Sequence, residues 1–139
     1  MTADLHELVY AMDAYSERML RGRFGVERNL FAFLVPLASG TLDVTRLAER
    51  LNLTRAAVSK RVPLLERDGW LTSSAEPHRR GVRLALTPAG YELVTTAGDL
   101  LNQRFAALLT EVAIDVDTFG TQVRTLIDAV VALDAKERS

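Results

Sequence analysis

Cationic and hydroxyl side chains that could bind a polyanion are concentrated in the middle of the chain. Between residues 54 and 61, threonine and serine alternate with arginine and lysine, and a second stretch carries the adjacent pair Arg79-Arg80. Such side chains neutralise phosphates and donate hydrogen bonds to base edges. Residues 41–90 hold nine Arg and Lys against five Asp and Glu, whereas residues 91–139 hold four against eight. This imbalance favours a nucleic-acid-binding surface, the alternative being chance unevenness of a solvated surface.

The sequence shows no pattern typical of a catalytic or metal site. It has no cysteine, and its two histidines, His6 and His78, fall into no metal-ligand or nucleophile spacing. No glycine-rich phosphate loop follows a strand. The carboxylates are scattered over polar helix faces, where they act as solvated charges. We therefore expect no enzymatic activity, no metal and no cofactor.

Two short helical patterns meet across a tight turn in the basic region. Leu47, Ala48 and Leu51 share one face of the first, Asn52-Leu53 interrupts it, and Thr54 is a suitable N-cap for the second. This order predicts a helix-turn-helix. On the second helix, residues 54–68, the predicted core side holds Ala57, Val58, Val62, Leu64 and Leu65, and the opposite side holds Arg55, Ala56, Ser59, Lys60 and Pro63.

Two residues of the second helix are exceptions to this simple division. Arg61 falls near the apolar arc, so its guanidinium would have to extend outward to reach a phosphate. Pro63 removes the hydrogen bond to the carbonyl of Ser59. A helix that ends at Val62 is one interpretation. The continued apolar pattern up to Gly69 favours a single bent helix.

Two extended runs, residues 70–74 and 82–86, follow Gly69 and flank a turn-rich segment. Val82, Leu84 and Leu86 alternate with Arg83 and Ala85, the period of a half-buried strand. A helix-turn-helix followed by such a hairpin is a winged helix, and residues 41–42 could add a short third strand.

The basic region resembles the multiple antibiotic resistance regulator (MarR) family of transcription regulators. About fifty residues match the family in order and spacing, and the flanks agree in helical pattern and length. The matching segments are Leu47-Ala48-Glu49-Arg50-Leu51, Ala56-Ala57-Val58-Ser59-Lys60-Arg61, Leu65-Glu66-Arg67-Asp68-Gly69-Trp70, His78-Arg79-Arg80 and Leu86-Thr87-Pro88-Ala89-Gly90. The resemblance implies a mainly α fold with a small β-wing: a winged helix-turn-helix with N- and C-terminal dimerisation helices.

The same resemblance implies binding to double-stranded DNA, with the second helix in the major groove. Base or phosphate contacts are expected from the exposed N-terminal half of this helix, and minor-groove and phosphate contacts from Arg80 and Arg79 of the wing. The helix residues are Thr54, Arg55, Ala56, Ser59, Lys60 and Arg61. The usual wing signature is Asp-x-Arg, and here His78 stands at the acidic position.

Four amphipathic helices are predicted outside the winged helix, over residues 4–21, 26–38, about 88–112 and about 116–135. A lobe of about fifty residues cannot cover all their apolar stripes, so we expect them to pair across a two-fold axis in a homodimer. Residues 1–38 and 88–139 would form the dimerisation region, and residues 39–87 the DNA-binding lobe. The alternative is that these helices fold back onto one core.

The family resemblance also implies release from DNA by a small aromatic effector, and Tyr15, Met19 and Phe31 are candidate lining residues. Their alternative role is in the core. The absence of cysteine excludes a thiol switch and suits the cytoplasm, as does the lack of an apolar run of membrane-spanning length or of a secretory signal. The sequence therefore predicts a cytoplasmic homodimeric repressor on a pseudo-palindromic operator. The alternative is a winged helix that binds protein instead of DNA.

Overall fold

The computed structural model describes residues 1–75, 77 and 81–139. In these residues the chain forms six α-helices and a three-stranded antiparallel sheet, which confirms the predicted mainly α fold with a small β-wing. The helices are α1 (Thr2–Phe24), α2 (Arg28–Leu34), α3 (Val44–Leu51), α4 (Arg55–Arg67), α5 (Pro88–Glu111) and α6 (Val116–Arg138); the strands are β1 (Leu42–Asp43), β2 (Leu71–Ala75) and β3 (Val82–Leu86). The chain divides into two compact units, Met1–Asp99 and Leu100–Ser139.

The sheet of the first unit has the strand order β1-β3-β2. Leu71 pairs with Leu86 and Ser73 with Leu84 in the hairpin, and Leu42 pairs with Leu84 on the other side. β1 is thus the predicted third strand, shifted by one residue. Leu71 and Leu84 are completely buried, because alternate side chains of a strand point to the same face of the sheet.

The core of the first unit is built from large apolar side chains of its helices and its sheet. Burial of each such side chain contributes about 1.5–3 kcal/mol to folding. The largest fully buried ones are Leu20, Phe33, Leu34, Leu47, Val58, Leu71 and Leu84. Every α-helix and strand from α1 to β3 except β1 supplies at least one of them, and α4 packs against both α3 and β2.

Helix α1 is longer than the sequence predicts. It continues through Gly22 and ends at Gly25, whose φ of 67° is left-handed and whose N–H donates to the carbonyl of Arg21 at 3.2 Å. The predicted end of this helix at residue 21 was wrong, because a helix interior tolerates one glycine at a cost of about 1 kcal/mol. The left-handed C-terminal glycine is the real stop signal.

Helix α2 is shorter than predicted, and the chain continues from it as a 3-10 turn, Val35–Ser39. Pro36 lies at the start of this turn, where its missing N–H is tolerated. The apolar pattern of residues 26–38 places Phe31 on the core side, but Phe31 is only half-buried and Phe33 is buried instead. A helix of seven residues has too few turns for its periodicity to decide which side faces the core.

A carboxylate of α1 closes the N-terminus of α2. Glu17 Oε2 accepts a hydrogen bond from the backbone N–H of Arg28 at 2.7 Å, and its other oxygen accepts from the Arg21 side chain. The hydrogen bond from Arg21, reinforced by the Arg28 N–H, holds the pKa of the Glu17 carboxyl below its usual value. This arrangement fixes the angle at which α2 leaves α1.

The second unit consists of the end of α5, a short turn and α6. The Phe105 and Phe119 rings meet edge to face with their centroids 6.1 Å apart, a favourable aromatic geometry. Asp115 caps α6 by accepting from the N–H of Thr118 at 2.9 Å. Every residue of α6 except Phe119 is exposed within this single chain. The apolar stripe of α6 therefore has no covering surface in its own unit.

Candidate nucleic-acid interface

The turn between α3 and α4 follows the predicted helix-turn-helix. Asn52 adopts a left-handed conformation with φ 53°, and the N–H of Leu53 donates to the carbonyl of Ala48 at 2.9 Å. Asparagine tolerates this conformation better than most residues. The break at Asn52-Leu53 is thereby confirmed, and it redirects the chain within two residues.

Thr54 sets the start of α4. Its Oγ1 accepts a hydrogen bond from the N–H of Ala57 at 3.0 Å, which confirms the predicted N-cap. A hydroxyl that accepts in this way keeps its own hydrogen for donation. Thr54 is therefore placed to donate to an anion at the exposed N-terminus of α4, where the helix dipole also favours negative charge.

The two sides of α4 differ as the sequence predicts. Val58, Val62 and Leu65 are buried, and the opposite side is exposed; its residues are Arg55, Ala56, Ser59, Lys60 and Pro63. The prediction that Leu64 lies in the core was wrong, because this side chain is 52% exposed. At 100° per residue it stands roughly 130° from the centre of the buried arc.

Pro63 does not end the helix. α4 runs without interruption from Arg55 to Arg67 with Pro63 inside it, so the interpretation in which the helix stops at Val62 was wrong. The side chain of Pro63 is exposed. The exposed side of α4 consequently extends over more than three turns.

Arg61 points toward α2. Its Nη2 donates to the carbonyl of Asn29 at 3.4 Å, and its guanidinium carbon lies 4.6 Å from the centroid of the buried Phe33 ring. A guanidinium over an aromatic face is held by a cation–π attraction. The predicted phosphate contact would require Arg61 to leave both partners.

The wing residues on which the sequence places minor-groove and phosphate contacts, Arg79 and Arg80, lie outside the described residues, as does His78. Hydrogen bonds tie β2 and β3, the strands on either side of this segment, to neighbouring parts of the fold. The N–H and Oγ of Ser73 both donate to the carboxylate of Glu66 at the end of α4, at 3.1 and 3.0 Å. This link joins the hairpin to the helix, and its seven-residue separation across two elements gave no local signal in the sequence.

A second link joins β3 to the start of β1. The Arg83 guanidinium donates to Thr41 Oγ1 at 2.8 Å and to the Thr41 carbonyl at 3.3 Å. Arg83 was expected only as the polar member of an alternating strand. Its side chain instead stabilises the edge of the sheet.

Hydrogen bonds join the end of the hairpin opposite its tip, where β2 begins and β3 ends, to the N-terminus of α5. Thr87 Oγ1 accepts from the N–H of Gly90 at 3.0 Å and donates to the carbonyl of Gly69 at 2.6 Å. These contacts confirm Thr87 as the N-cap and Pro88 as the first residue of α5. Gly90 is buried, and a Cβ there would overlap the carbonyl oxygen of Trp70, so only glycine allows this close approach.

The three residues predicted to line an effector site occupy different environments. Tyr15 is 39% exposed on α1, Met19 is 8% exposed in the core, and Phe31 is half-buried with its ring against Gly98 of α5. A separate open groove of about 410 Å³ is lined in part by Leu37, Leu86 and Tyr91. Its lining does not include the three predicted residues.

In residues 1–75, 77 and 81–139, no group of three or more His, Asp and Glu side chains is placed to hold a metal ion. None of the helices there combines the length and the hydropathy that a membrane span requires.

No family model matches the sequence, and no curated protein is similar to it. Solved structures are similar. Ligand-free NadR shares 18% identity over 100% of this chain and 98% of its own, with a TM-score of 0.79. AbsC, a MarR family transcriptional regulator from Streptomyces coelicolor, shares 17% identity over 96% and 91%, with a TM-score of 0.77.

MepR from Staphylococcus aureus, solved as a complex with DNA, shares 18% identity over 96% of this chain and 98% of its own, with a TM-score of 0.73. NadR has also been solved with 4-hydroxyphenylacetate; there it shares 22% identity, with a TM-score of 0.72. Similarity at these identities establishes the fold. The chain has the winged helix fold of the MarR-family transcriptional regulators.

Proposed function

We propose that the protein is a sequence-specific transcriptional regulator that binds double-stranded DNA. The exposed side of α4 carries this proposal. Arg55, Ser59 and Lys60 stand on it beside small side chains, which allows close approach to base edges and phosphates in a major groove. Thr54 would add a phosphate contact at the helix N-terminus. The same fold binds DNA in MepR.

The acting species is proposed to be a homodimer. Leu5, Leu8 and Val9 of α1 are each about half exposed, and the apolar stripe of α6 is exposed along its whole length. Its members include Val123, Leu126, Ile127, Val130 and Leu133. Pairing two copies across a two-fold axis would bury these stripes and place two copies of α4 on one duplex, about 10 base pairs apart.

Selection of bound duplexes from a random library with the purified protein tests this function. A pseudo-palindrome with half-sites about one helical turn apart is the expected product. Binding of the selected duplex should weaken steeply with salt, with log K falling by about 0.9 per phosphate neutralised for each unit of log salt. Failure to enrich any duplex would refute the proposal and favour a winged helix that binds another protein.

We further propose that the regulator is a repressor released by a small aromatic acid, as NadR binds 4-hydroxyphenylacetate. An effector releases DNA when it binds more tightly to the form that DNA excludes. Adding 4-hydroxyphenylacetate to the DNA complex should therefore raise the apparent Kd. Loss of the response in Tyr15→Ala would support a site at Tyr15, Met19 and Phe31, and loss in Tyr91→Ala would place it in the groove instead. Such a regulator would work in the cytoplasm.

A further inference from the structure

The packing of the core does not account for Pro63. It lies inside α4, where proline is the least favourable residue, and its ring is exposed and adds nothing to the core. Any of several residues would stabilise the helix more at this position. A gain from contact with a partner would explain the proline.

Ala56 lies on the same exposed side of α4 as Pro63, and the two side chains form an apolar strip. Seven residues separate it from Pro63, which at 100° per residue leaves the two only about 20° apart around the helix. Ser59 and Lys60 flank the strip, each about 50° from its centre. At about 1.5 Å per residue, Ala56 and Pro63 are about 10 Å apart along the axis, close to three base-pair steps of about 3.4 Å.

The chemistry of these two side chains restricts what they can recognise. A methyl group and a pyrrolidine ring neither donate nor accept hydrogen bonds, so they cannot bind the polar edges of bases. The apolar group that a standard base presents in the major groove is the C5 methyl of thymine. Apolar contact with this methyl removes both partners from water.

We propose that Ala56 and Pro63 recognise the methyl groups of two thymines about three base pairs apart in each half-site. The proposal rests on the DNA-binding function proposed above. It assigns the polar and cationic neighbours, Ser59 and Lys60, to hydrogen bonds and phosphates, and the apolar strip to thymine discrimination.

Deoxyuridine substitution tests the proposal, because uracil lacks only the C5 methyl. In the duplex selected with the wild-type protein, each thymine of a half-site is replaced singly, and Kd is measured by fluorescence anisotropy at fixed salt. Binding should weaken about fourfold at each of two positions, the effect of one methyl group taken out of contact. The two positions should be about three base pairs apart.

Two variants assign the positions to the residues. Ala56→Gly should abolish the thymine-to-uracil difference at one position, and Pro63→Ser at the other. Pro63→Ser should also raise the melting temperature, because it restores a helix N–H, so a weaker discrimination cannot come from unfolding. Leu64→Ala is the matched control: it removes a neighbouring exposed apolar side chain about 90° from the strip and should leave both differences unchanged.

The possible outcomes separate this proposal from the function on which it rests. A selected half-site without thymine, or uracil substitutions that leave Kd unchanged, would overturn the methyl contacts while DNA binding stands. Persistence of both differences in the two variants would reassign the contacts to other residues and likewise overturn the proposal. Absence of any bound duplex would remove both.

Discussion

Gly90 provides the sharpest test of how the hairpin is fixed to α5. A Cβ at this position would overlap the carbonyl oxygen of Trp70 and lie 3.2 Å from its carbonyl carbon. That oxygen accepts a hydrogen bond from the N–H of Thr87 at 3.1 Å. Gly90→Ala must therefore displace the backbone at the start of β2, together with the bond that ties it to α5.

The expected loss of stability follows from three contributions. Overpacking a tight site costs about 1–3 kcal/mol, and the weakened hydrogen bond adds about 1 kcal/mol to this loss. The better helix propensity of alanine offsets about 1 kcal/mol of the loss. Gly90→Ala should thus lower the free energy of unfolding by about 1–3 kcal/mol. Gly22→Ala is the control, because Gly22 lies inside α1 with open space at its Cβ position, and it should gain about 0.5–1 kcal/mol.

Urea titration at one fixed protein concentration measures both variants, followed by circular dichroism and by the fluorescence of Trp70, the single tryptophan. The midpoint for Gly90→Ala should fall by on the order of 1 M for a typical m-value. If Gly90→Ala is as stable as wild type while Gly22→Ala gains stability, the clamp between the hairpin and α5 is not as rigid as the contacts imply.

Three further predictions concern other parts of the chain. Arg61→Met should lower the melting temperature and leave the salt dependence of DNA binding unchanged. Lys60→Met should instead reduce the slope of log K against log salt by about 0.9. Equal slope changes in the two variants would make Arg61 a phosphate contact. Because the folded-state pKa of Glu17 is lowered, its contribution is fully present above the unfolded pKa and is lost as pH falls through the folded value. The difference in urea midpoint between wild type and Glu17→Gln should therefore be larger at pH 7 than at acid pH, and an equal difference at both would contradict the ion pair's role. Leu126→Asp should give monomers in sedimentation at micromolar concentration, whereas Thr125→Asp, on the polar side of α6, should remain dimeric.

Local sequence rules predicted the elements around the candidate interface well. The caps at Thr54 and Thr87 and the break at Asn52 depend on residues at most five positions away, so the local sequence contains their cause. The exposed side of α4 was also predictable, since thirteen residues give a clear helical phase. Leu64 was misplaced because an apolar residue was assumed to face the core.

Contacts between distant residues were not predictable in the same way. The bond between Glu66 and Ser73 and the position of Arg61 over Phe33 arise only after the elements have packed. No propensity or periodicity encodes them. The site was consequently predicted as a surface, whereas the links that hold this surface in place were found only in the structure.

Side-chain contacts made through α2 join α4 to α1. Glu17 of α1 holds the N-terminus of α2 at 2.7 Å, and α2 in turn holds Arg61 of α4 through the Asn29 carbonyl at 3.4 Å and the Phe33 ring. These contacts form a continuous series from α1 through α2 to α4. Since α1 also carries an exposed apolar stripe, a partner bound to that stripe would restrain the orientation of α4. In the proposed homodimer, pairing through α1 and binding of α4 to DNA would then be coupled equilibria.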